Sequence, residues 1–162
     1  MSATVVLTLP AIAEALPRVD EEIRTLVASS ALPEVSRRGK RLRSIIVLTG
    51  TLALGGGLDD KTINSAALIE VLHPRHDVAE LFRLGCVLAN HCAAADEEER
   101  MAAYGTAFGR MFELADETPV VERCWELAGE AARAVPDRDN DAAAILRELP
   151  TAYLHLMSAL IA

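Results

Sequence analysis

Apolar residues recur at intervals of three and four along most of this chain, the spacing that lines one face of an α-helix. Ile12, Leu16, Val19, Ile23, Leu26 and Val27 draw the first stripe and predict a helix from about Pro10 to Ala28, kinked or broken at Pro17. A second helix is expected from near Lys40 to Leu54, stopped by Gly55-Gly56-Gly57, because glycine accepts the left-handed conformation that ends helices. Asp59 or Asp60 caps a third, Lys61 to Leu72, ended by Pro74. Asp77 and Glu80 have capping-box spacing and open a fourth, to about Ala93; Asp96 and Glu99 repeat the device before a fifth, Met101 to Ala115. Thr118-Pro119 predicts the start of a sixth, ending before Pro136, and Asp141 to Ala162 reads as a last helix broken or bent at Pro150. There is no strand alternation, internal repeat or low-complexity segment. The pattern predicts one all-α domain, a helical bundle over residues 1–162.

Composition agrees. The chain has 162 residues, enough to bury roughly 70% of its unfolded surface, so a core needs no staples. Hydrophobic residues make up 51% and aromatic ones only 4%, which favours packed helices over sheet. No apolar run reaches the ~18 residues of a membrane span, and Met1 to Pro10 lacks the features of a signal peptide; a cytoplasmic protein is expected. Cys86, Cys92 and Cys124 lack CxxC spacing and read as small buried hydrophobes.

Charge is where the chain departs from a plain bundle. The net charge is −8, yet Arg37, Arg38, Lys40, Arg41 and Arg43 lie within seven residues at the start of the second helix. A helix start presents free N–H groups and a positive dipole end, and Gly39 leaves the backbone open, so this is a candidate anion site. Lys40 and Arg43, three apart, would share a helical face, a geometry that suits a diphosphate. The competing reading is a solvated basic face. A nucleic-acid patch is disfavoured by the acidity of the rest of the chain.

The segment Gly39-Lys40-Arg41-Leu42-Arg43, running into an apolar helix with a glycine stop, resembles the GKRxRP segment of the trans-isoprenyl diphosphate synthases, the polyprenyl synthetases. Ala66-Ala67-Leu68-Ile69-Glu70-Val71-Leu72-His73 is similar to that family's AAxxExxH helix. Tyr104-Gly105 through Gly109 to Asp116-Glu117 resembles its YGxxxGxAFQxxDDxxD helix, and Leu84 to Ala89 with Asp96 to Glu99 resembles the lead-in to it. The resemblance implies a shortened isoprenoid-synthase-like fold in which Gly39, Lys40, Arg43 and His73 hold the diphosphate of isopentenyl diphosphate.

The departures are as informative. Ser44 replaces the family's proline. After His73, the family's HDDxxD is reduced to His76-Asp77-Val78-Ala79-Glu80, the central helices that follow it are missing, and the second DDxxD survives only as Asp116-Glu117 with Glu113 before it. The family ionises its allylic substrate with Mg²⁺ clamped between two carboxylate clusters, since the leaving diphosphate must be neutralised. Asp77, Asp116 and Glu117 are the remaining candidates to hold Mg²⁺, against the plainer readings of Asp77 as a helix cap and of the others as a solvated helix end. His73, His76 and Asp77 as a transition-metal site, or Cys86, His91 and Cys92, are weaker candidates, because Pro74 spoils the register of the first.

An anion cradle kept while the metal clamp is weakened leads to the expectation of a small non-catalytic, product-length-determining subunit. It would pack on a full-length prenyl diphosphate synthase homologue, with Mg²⁺ belonging to the assembled complex, or self-associate as a homodimer. The missing helices are expected to leave an apolar groove that such a partner covers. A stand-alone Mg-dependent enzyme on isoprenoid diphosphates and a non-enzymatic prenyl-lipid or diphosphate binder are the alternatives.

Overall fold

A computed structural model describes residues 9–30, 41–72 and 76–161. Seven helices account for most of them: α1 (Pro10–Ser29), α2 (Leu42–Ala53), α3 (Asp60–Leu72), α4 (Val78–Cys92), α5 (Glu98–Glu117), α6 (Glu122–Ala134) and α7 (Asp141–Ile161). They form a single helical bundle, and there is no strand among the described residues. No described helix is long and apolar enough to cross a membrane.

The bundle is organised around α2, which is buried on every side: Ser44 through Thr51 are all buried, and so is Ala53. Ile45, Val47 and Leu48 pack into a core shared with α1 and α3, alongside Ile12, Val19 and Ile69. Ile46, Ala53 and Leu54 face a second, larger core built from α4, α5, α6 and α7. The helix is thus the wall between two cores. A helix apolar all round can be stable in water only in such a place.

The predicted elements are all present, with informative shifts at their ends. α1 runs through Pro17 without a break, because Pro17 lies on the exposed face, where water reaches the carbonyl left without its usual donor. α2 ends where expected, with Gly55 at φ 86°. Asp59 caps α3, its carboxylate accepting from the Thr62 N–H and hydroxyl, each at 3.0 Å. α5 starts without a side-chain cap of its own; the Glu97 N–H is taken instead by Oδ1 of the buried Asn90, at 2.9 Å. Thr118 caps no following helix. Its hydroxyl and its N–H both donate back to the Leu114 carbonyl, closing α5, and α6 begins only at Glu122. Cys86 and Cys124 are buried as expected, while Cys92 is only partly so.

Pro150 shows how the core tolerates a helix-breaking residue. α7 is continuous through it. A proline lacks the N–H that would bond the carbonyl four residues earlier, that of Leu146, which lies on a fully buried residue. The Tyr104 hydroxyl donates to this carbonyl at 2.9 Å from the middle of α5. Burial pushes that phenol well above its ordinary pKa, so it stays protonated and remains a donor. Replacing Tyr104 by Phe should therefore cost about 1–3 kcal/mol, the penalty of a buried unpaired carbonyl, in chemical denaturation. In a Pro150→Ala background the restored N–H should shrink that cost; equal costs in both backgrounds would show that the hydroxyl is not compensating for the proline.

Candidate functional site

The start of α2, the end of α3 and the first turns of α4 meet at one end of the bundle, and Arg43 lies at their junction. Ser44 fixes the crossing of α2 and α3: its hydroxyl donates to the Ala66 carbonyl at 2.8 Å, and its N–H donates to Oε1 of Glu70 at 3.2 Å. Glu70 is thereby held inside the bundle with its side chain 6% exposed. The Arg43 guanidinium approaches it with Nη1 3.7 Å from Oε2, and its own side chain is only 13% exposed. Its carbon Cζ lies 5.5 Å from the centroid of the Phe82 ring on α4.

This arginine is under-satisfied. The contact with Glu70 is too long for a hydrogen bond, and Nε is buried with no acceptor. Burial lowers the Arg43 pKa and the charge of Glu70 opposes the shift, so the guanidinium stays charged. Arg41, the other described cation of the basic stretch, pairs with Asp20 of α1 through Nε and Oδ1 at 2.7 Å. Its backbone is left-handed, φ 55° and ψ 29°, and α2 begins only after it. The helix therefore starts two residues later than expected. The face on which Lys40 and Arg43 were to stand together is not provided by α2. Gly39, Lys40 and His73 themselves lie outside the described residues.

Of the acidic candidates, Asp77 has structural employment. Asp77 is the N-cap of α4, accepting from the Glu80 N–H at 2.9 Å. Glu80 does not reach back to complete the box; it turns to Arg83, whose Nε donates to it at 2.9 Å. Across from them, α5 lies against the start of α4 because Gly109 has no side chain: a Cβ there would come within 2.5 Å of the Ala79 Cα. Gly105, one turn earlier, is equally tight against the Phe82 carbonyl. One turn beyond Gly109, Glu113 faces the free N–H groups of Val78 and Ala79. An acid near the end of its own helix, where the dipole disfavours it, thus finds a partner at the beginning of another.

Asp116 and Glu117 are exposed at the end of α5, and Asp116 lies near the phenol of Tyr153. Asp77 and Glu117 are close enough to Glu113 to act on its charge, but among the described residues no three His, Cys, Asp or Glu side chains converge as ligands of one ion.

In the sequence Glu70 stands only within the Ala66 to His73 motif, and Phe82 is not singled out. The usable signal for Glu70 was a lone carboxylate at helical spacing from Ala66 and Ala67, on a face otherwise fit for a core. Comparison with known proteins adds no relative: no protein-family model, curated protein or solved structure matches this chain.

Glu113 gives a pH test of this arrangement. Burial raises its carboxyl pKa, Asp77 and Glu117 push the same way, and the N–H groups of Ala79 and Val78 oppose them. A raised carboxyl pKa means the folded chain binds a proton the unfolded chain has released. Its contribution is therefore most favourable below the ordinary value of 4.5 and declines as pH rises through the folded pKa. Glu113→Gln should raise the melting temperature at pH 7, and the gain should vanish by about pH 4. A variant melting below wild type at pH 7 would mean that the charged cap outweighs the burial.

Proposed function

We propose that this chain is a non-catalytic, regulatory subunit of a heteromeric trans-prenyl diphosphate synthase, contributing an isoprenoid-diphosphate anion site to the complex. The family assignment rests on the collinear motifs around Gly39 to Arg43, Ala66 to His73 and Tyr104 to Glu117. One observation carries the functional part. At the start of α4, Asp77 and Glu80 are committed to capping and pairing, while beside them Nε of the largely enclosed Arg43 guanidinium is left without an acceptor. Such a site can hold an anion better than it can drive one to leave.

The surface favours a second reading, a diphosphate-binding protein that needs no partner. Among the described residues the exposed large hydrophobics are Leu68 on α3, Val121 and Trp125 at the start of α6, and Leu160 near the end of α7. They are few and lie on three different helices, where a continuous apolar groove was expected.

A prenyl-transfer assay separates the readings. With Mg²⁺, isopentenyl diphosphate and short allylic diphosphates, this chain should be silent alone, and its mixture with a full-length synthase homologue should give a product length or rate that the homologue lacks by itself. Arg43→Gln should abolish that difference. Turnover by this chain alone would support the stand-alone enzyme. A mixture indistinguishable from the homologue, with tight diphosphate binding retained, would support the partner-free binder.

A further inference from the structure

Arg43 and Glu70 make an unusual pair, because neither supplies the other's hydrogen bonds. Glu70 takes its hydrogen bond from the Ser44 N–H at 3.2 Å, with the Ser44 hydroxyl at 3.4 Å. Arg43 has no acceptor for Nε, and it meets Glu70 only at 3.7 Å. The Phe82 ring attracts a cation but accepts no strong hydrogen bond. The guanidinium is therefore neutralised in charge and unsatisfied in geometry, which is the state a ligand with several oxygen acceptors would relieve. Solvent still reaches the Arg43 side chain, whereas Glu70 is almost fully enclosed.

We propose that Glu70 gates Arg43: it is the counter-charge that holds the guanidinium in the free protein and that the oxygens of an incoming diphosphate replace. This rests on the reading of Arg43 as a diphosphate-binding residue. Two negative groups then compete for one cation, so the buried carboxylate sets a threshold that only a multiply charged anion overcomes. If Glu70 instead oriented Arg43 for the ligand, removing its charge would weaken binding, so the sign of the effect decides between them.

The test is calorimetric titration of the whole chain with inorganic pyrophosphate and, separately, isopentenyl diphosphate. Glu70→Gln keeps an oxygen for the Ser44 N–H and removes the charge; it should bind both ligands at least about tenfold more tightly than wild type. Arg43→Gln should lose binding of both. If Glu70→Gln does not fold, Glu70→Met fills the same space and carries the same expectation. Binding that needs Arg43 but is unchanged or weaker in the Glu70 variant overturns the gate and leaves the anion site standing. Absence of binding in wild type and both variants overturns the gate together with the reading beneath it.

Discussion

Everything in this bundle depends on burying α2 on all sides. A helix enclosed by two cores must also bring its start inside, and here the start carries Arg41 and Arg43. Each draws a counter-charge from a different neighbour, Asp20 on α1 and Glu70 on α3, so the two ion pairs also set how those helices lie against α2. Removing either partner of the buried pair would leave a charge in the interior, a larger loss than the pair's own net contribution. Gly50 closes the opposite face: a Cβ there would stand 2.9 Å from the Ala89 Cβ and 3.0 Å from the Met101 Cε. The central helix is thus held by charge at its start and by close contact along its length.

The same strictness governs the backbone groups the helices leave over. The Leu146 carbonyl, freed by Pro150, goes to Tyr104. Asn140 does double duty, its amide donating to the Ala53 carbonyl at the end of α2 and its oxygen accepting from the Ala143 N–H at the start of α7, both at 2.9 Å. Arg100 closes α6, donating to the Ala134 carbonyl at 3.2 Å and to that of Val135 at 2.7 Å. Against this background, the two buried side-chain atoms without partners, Arg43 Nε and Thr49 Oγ1, stand out among the described residues. The hydroxyl is on a fully buried stretch of α2; only the guanidinium keeps contact with solvent.

Much of this was legible from local chemistry. The Asp59 and Asp77 caps, the glycine stop after α2 and the helix order follow from residues within a turn of one another, where spacing alone determines who can meet. What was not legible depends on neighbours far along the chain. Asn90 takes over the start of α5, and Thr118 closes the helix behind it when the Thr-Pro pair suggested a beginning. Tyr104 rescues a carbonyl 42 residues away. The candidate site divides in the same way. That cations gather before α2 is plain in the sequence, but that Arg43 turns inward to Glu70 and Phe82 needs the crossing of three helices. The acidic motif was read as weakened chemistry with capping as its rival, and in the fold Asp77 has the geometry of a cap.

The Arg43 Nε–H is a donor without an acceptor, and its resonance in a ¹H–¹⁵N spectrum, assigned by its loss in Arg43→Lys and recorded while pyrophosphate is added, reports whether one arrives. A hydrogen bond to phosphate oxygen should move that proton downfield and slow its exchange with water, with Arg41 much less affected. An Arg43 signal that stays fixed while surface arginines shift would contradict an anion-binding role and leave Arg43 as a purely structural charge.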